Sequence, residues 1–181
     1  MTKTPTQQHC ALLVIDVQAG LTPGAYRIDE VIENINAVSA HLHKLGGHVF
    51  YIQHCHKSFS ALQKGNPGWE IDSRLTRRDD DQLVEKEASD AFYNTQLASL
   101  LAAANVSHVY ITGMQTEYCV DTTCRAALNY VEHVTLISDA HTTAKGTLSA
   151  AETIQYHNTV LANVAHPRGN INVTLARNLI S

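Results

Sequence analysis

Short, wholly apolar runs recur along this chain, and helical patterns separate them. Ala11-Leu12-Leu13-Val14-Ile15 has no polar position. A strand with one face in water alternates polar and apolar residues, so an unbroken run of this length reads as a strand covered on both faces. His48 to Gln53, Val106 to Thr112, Val134 to Ile137 and Val160 to Val164 read as further strands, and Gln82 to Lys86 as a shorter strand-like stretch. Between the first two strands, Val31, Ile32, Ile35, Val38, Leu42 and Leu45 recur at helical spacing. They predict a helix over 29–44, with Asp29 as N-cap and Gly46-Gly47 as the stop. Further helices are expected through Leu97 to Ala104 (capped by Asn94 or Thr95), after Cys119, over 148–157 and over 173–180. Strands that alternate with helices in this way make a three-layer α/β/α sandwich with a largely parallel sheet.

The chain has 181 residues, enough for one domain with a sizeable core, and no linker or internal repeat divides it. A net charge of −4 gives no electrostatic reason to expect a nucleic-acid partner. No apolar run approaches the ~20 residues of a membrane span. Met1 to His9 is polar and lacks the apolar core of a signal peptide, so 1–9 is expected to be flexible and the chain to be cytoplasmic. The four cysteines, Cys10, Cys55, Cys119 and Cys124, are too few and too scattered for a disulfide framework. Cys10 and Cys124 read as small buried hydrophobes. Phosphate-binding GxGxxG and GxxxxGK[ST] fingerprints are absent, as is the GxSxG elbow of serine hydrolases.

Three polar residues stand at strand ends, and the ends of parallel strands share one edge where open α/β sheets place their sites. Asp16 closes the first run; its spacing fits equally a site carboxylate or a turn residue. Lys86 follows a short strand-like segment. Cys119 lies in Gly113-Met114-Gln115-Thr116-Glu117-Tyr118-Cys119-Val120, between a strand and a helix, where outward N–H dipoles are expected to favour a thiolate. Together they suit acyl transfer. The sulfur attacks a carbonyl, the carboxylate moves the proton, the ammonium steadies both, and N–H groups of the turn hold the oxyanion. His54-Cys55-His56 follows the second strand. Two imidazoles flanking one residue suit a metal, but no third ligand completes the set, so His54 is assigned to the pocket wall, with Cys55 pointing away. Ser58 to Asp81 is a long irregular stretch of the kind that forms binding loops, and Trp69 within it is a candidate wall.

These residues resemble the isochorismatase-like cysteine hydrolases, a family that includes nicotinamidases and N-carbamoylsarcosine amidohydrolases. The resemblance is carried by Leu13-Val14-Ile15-Asp16-Val17-Gln18, Pro67-Gly68-Trp69-Glu70-Ile71, Glu85-Lys86, Ala91-Phe92-Tyr93-Asn94-Thr95-Gln96-Leu97 and the Gly113–Val120 stretch. It implies a Rossmann-like sheet of about six strands, a triad of Asp16, Lys86 and Cys119, a cis Met114–Gln115 peptide, and an oxyanion hole from the N–H groups of Gln115 and Cys119. Gln18, His54, Trp69, Phe92, Thr116 and Tyr118 are assigned to substrate binding. It also implies a homodimer or homotetramer acting on a small-molecule amide or ureido substrate. Nicotinamidases carry Asp-x-His where this chain has His54-Cys55-His56, so no metal or other cofactor is expected. Members that cleave isochorismate's vinyl ether generally lack the cysteine, which favours a C–N substrate. Vinyl ether hydrolysis, and a non-catalytic binding protein on the same fold, are the alternatives.

Overall fold

The computed structural model describes residues 9–144 and 146–181. All but His9 of the lead-in expected to be flexible lies outside the described residues. Six strands form one all-parallel sheet: β1 (Cys10–Ile15), β2 (His48–His54), β3 (Gln82–Lys86), β4 (His108–Met114), β5 (His133–Thr142) and β6 (Ile171–Thr174), in the order β3-β2-β1-β4-β5-β6. The helices are α1 (Ile28–Lys44), α2 (Leu97–Ala103), α3 (Asp121–Ala127), α4 (Ala150–Ala162) and α5 (Ala176–Ile180). Among the described residues no helix is long and apolar enough to cross a membrane.

The period-2 geometry of β1 divides the core in two. Ala11, Leu13 and Ile15 pack on one side with Leu97 and Leu101 of α2, Cys124 and Ala127 of α3, and Leu161 of α4. Cys10, Leu12 and Val14 pack on the other with Val31, Ile35, Val38 and Leu42 of α1 and Ala176 of α5. Every residue of β1 is buried, as its unbroken apolar run requires. The strand order reverses between β1 and β4, so a crevice opens at their carboxyl ends.

Several element boundaries differ from expectation. The stretch 160–164, read as the last strand, instead holds the end of α4 at Ala162 and its C-cap Asn163; the helix's entry is fixed by a capping box between Ser149 and Glu152. Leu161 is buried while Ala162 is exposed, which is how a helix divides an apolar triplet between its faces. The sixth strand is Ile171–Thr174. The N-cap of α1 is Arg27, at φ 50°, rather than Asp29, which sits in the first turn. The N-cap of α2 is Gln96, although the Thr95 hydroxyl does accept from the Leu97 N–H at 3.2 Å. β4 runs on to Met114 and passes β1 with Gly113 beside Ile15. Gly113 has φ 110°, and a Cβ there would collide with the Ile15 backbone, so only glycine lets β4 run this close to the end of β1.

Candidate active site

Asp16, Lys86 and Cys119 arrive at the crevice from three elements. Asp16 directly follows β1 at φ 50°, a conformation that Asp and Asn tolerate better than most residues. Its N–H donates to the Ile52 carbonyl at 2.9 Å, which ties it to β2. Lys86 is the last residue of β3, and its register partner is His54, the last of β2. Cys119 lies in a π-helical turn, Thr116–Val120, that runs straight into α3.

The Lys86 ammonium is the hub. Its Nζ lies 2.7 Å from Asp16 Oδ2, 2.9 Å from His54 Nδ1, 2.9 Å from the Ala88 carbonyl and 3.2 Å from Cys119 Sγ. Asp16 and Lys86 are both buried, so each charge depends on the other for its solvation. The second carboxylate oxygen, Asp16 Oδ1, is buried and has no hydrogen-bond partner among the described residues. It is the spare acceptor of the cluster.

The sulfur is not in the state that a cysteine at a helix start suggests. Burial pushes the Cys119 thiol up to about 12; the Asp16 charge adds to this and Lys86 opposes it. Desolvation and a neighbouring carboxylate outweigh the turn's dipoles, so the resting group is a thiol that needs a base. His54 moves the other way. Burial and then the Lys86 charge push its pKa down, which keeps the ring neutral at pH 7. Because Lys86 donates to Nδ1, the ring proton is assigned to Nε2.

Asp16, His54 and Cys119 bring donor atoms within 4.8 Å of one another, which by count could suit a metal ion. The Lys86 ammonium already contacts all three and supplies the positive charge there. His56 is engaged elsewhere, its Nδ1 accepting from the Ser58 and Phe59 N–H groups at 3.2 and 2.9 Å. A further cation there would have to compete with the Lys86 ammonium for these donors.

The cavity above the sulfur has a volume of about 450 Å³. His54 and Tyr118 line it, together with Gln115, Asp16 and Cys119. The Met114–Gln115 peptide is cis, and the Gln115 N–H donates to no group among the described residues. The Gln115 carbonyl accepts from the Tyr118 and Val120 N–H groups at 3.1 and 3.2 Å, which closes the turn that carries Cys119.

The other residues assigned to substrate binding lie behind the cavity. Gln18 is fully buried; its amide donates to the His54 and Trp69 carbonyls at 3.1 and 2.7 Å, and its Oε1 accepts from the His54 N–H. It clamps the end of β2. Trp69 is buried within this chain and donates its indole N–H to Cys55 Sγ at 3.2 Å. Phe92 belongs to the core and stacks on Tyr130 at 4.4 Å. Thr116 is buried and bonds to His141 Nδ1 at 2.9 Å, whose Nε2 meets Asn158 Oδ1 at 3.0 Å. Burial pushes His141 down to about 4, so this relay is neutral and holds the turn in place. Its members come from distant segments, and no spacing in the sequence joins them. Leu62 and Glu87 also line the cavity and were not singled out from sequence. Leu62 belongs to the loop expected to shape the pocket, and Glu87 directly follows Lys86 at a strand end; those were the available signals.

The isochorismatase domain profile matches residues 10–170. A streptothricin hydrolase of Streptomyces noursei is 32% identical over 136 residues, which is 74% of this chain but 49% of that protein. This chain therefore spans about half the length of that relative. A ureidoacrylate amidohydrolase of Cronobacter sakazakii is 36% identical over 64 residues, 35% of this chain and 28% of that one. Among solved structures, a crystal structure titled as an isochorismatase family protein superposes with a TM-score of 0.81 at 28% identity, covering 92% of this chain and 98% of that chain.

Proposed function

The chain belongs to the isochorismatase domain family, and from that premise we propose that it is a metal-independent cysteine hydrolase of a small amide or ureido C–N bond. The observation that carries this reading is the single ammonium, Lys86, within 2.7 Å of Asp16 and 3.2 Å of Cys119. The amidohydrolase and hydrolase names of the relatives above agree with it.

The reaction follows from the resting charges. Cys119 begins as a thiol, so attack and deprotonation go together: Sγ bonds to the carbonyl carbon as its proton passes to Asp16. The carbonyl oxygen becomes an oxyanion and takes up the N–H groups of Gln115 and Cys119; each such donor contributes about 3–4 kcal/mol. Collapse breaks the C–N bond, and the leaving nitrogen takes the proton back from Asp16. A water then attacks the thioester with Asp16 again as base, releasing the acid and the thiol. Lys86 stays in contact with Asp16 and Cys119 throughout and offsets the negative charge that builds on them.

Asp16→Asn tests the division of labour. Asn tolerates the same left-handed backbone, while the charge that helps hold the thiol protonated is gone. Turnover of small amides should fall by at least about a hundredfold, the usual scale of a lost general base. Alkylation of Cys119 by iodoacetamide at pH 8 should become faster. Slower alkylation, or turnover within a few-fold of wild type, would contradict the assignment.

A further inference from the structure

The charges around the cavity are unevenly assigned. Asp16 and Lys86 neutralise one another beneath the floor. His54 is neutral. That leaves Glu87, whose side chain is 66% exposed, as the carboxylate on the wall that no buried cation answers. Its partner is Lys57, at 3.3 Å and 85% exposed, a pair so solvated that a bound cation can take its place.

Glu87 also lines a second cavity, of about 520 Å³. There Glu85 is already satisfied, both carboxylate oxygens accepting from Lys64 Nζ at 2.6 and 2.8 Å. Tyr93 stands on the same wall with 62% of its surface exposed, a ring face open to a cation. Among the described residues neither cavity has an arginine in its lining; Lys86 is engaged by its four contacts, and the two exposed lysines nearby, Lys57 and Lys64, are paired with Glu87 and Glu85. An anionic substrate arm would meet Glu87 with only the solvated Lys57 to offset it. An ammonium or guanidinium arm would meet a carboxylate and an aromatic face together.

Resting on the amidohydrolase reading above, we propose that the substrate is an amide with a cationic arm. Its carbonyl sits over Cys119, and the arm crosses Glu87 toward Tyr93. Glu87 is then the specificity-determining residue for charge.

Three isosteric amides that end in an ammonium, a methyl or a carboxylate group test this. Wild type should favour the ammonium compound over the carboxylate by about tenfold in kcat/KM, with the gap narrowing in high salt. Glu87→Gln should close most of the gap, and Glu87→Arg should reverse the ranking; both changes are at an exposed position. An unranked wild type, or a ranking that Glu87→Arg leaves unchanged, overturns the charge proposal and leaves the hydrolase reading standing. If none of the three is turned over, calorimetric binding to wild type decides. A ranked affinity keeps the cationic subsite and counts against the amidohydrolase reading; equal affinities overturn the subsite.

Discussion

Lys86→Met is expected to cost about 3–5 kcal/mol of folding stability, the usual penalty when one member of a buried ion pair is removed, and to abolish turnover. Methionine fills much of the same space but leaves the Asp16 carboxylate buried without its 2.7 Å partner. The large loss comes from the orphaned charge rather than from the worth of the pair. The double variant Lys86→Met, Asp16→Asn removes both charges, so it should recover most of the stability and none of the activity. Urea unfolding with its slope checked for each variant reads this directly. A loss below about 1 kcal/mol for the single variant would mean that Lys86 does not carry Asp16.

Cys119→Ala should have the opposite profile. The side chain is only partly buried, and Lys86 keeps three of its four contacts without it. Stability should therefore stay within about 1 kcal/mol of wild type. Turnover of a small amide should fall by at least about a thousandfold, because the nucleophile is gone and the remaining groups only polarise the substrate. Vinyl ether hydrolysis has no use for the sulfur, so an unimpaired Cys119→Ala protein would favour that chemistry instead.

The parts of this molecule that were legible in sequence are those where one local rule acts alone. β1 could be read because a parallel strand buried on both faces leaves no place for a polar residue. Asp16 and Lys86 could be placed because strand ends in such a sheet share an edge. Val160 to Val164 misled because its two valines favour strands by composition, while the capped helix that begins at Ala150 runs on as far as Ala162. β5 runs past Ile137, the end expected from sequence, because the strand bulges there against β4 and then resumes as far as Thr142.

Side-chain roles behind the cavity were harder to read. Gln18, Trp69, Phe92 and Thr116 all lie in motifs that surround the triad, and sequence does not separate a residue that faces substrate from one that holds the wall in place. Gln18 clamps two carbonyls and Thr116 leans on His141, so both serve geometry from beneath. The protonation of Cys119 was also out of reach. Its sign depends on burial and on Asp16, more than a hundred residues away in the chain, and no local motif reports either.

The most direct test of the account is intact-protein mass spectrometry during turnover. Wild-type protein mixed with a panel of small amides and ureido compounds and quenched in acid should gain the mass of one acyl group. Peptide mapping should place that group on Cys119, and the adduct should be absent from Cys119→Ala. Steady C–N hydrolysis with no acyl-protein at any quench time, and with Cys119→Ala turning over at the wild-type rate, would contradict covalent catalysis by Cys119.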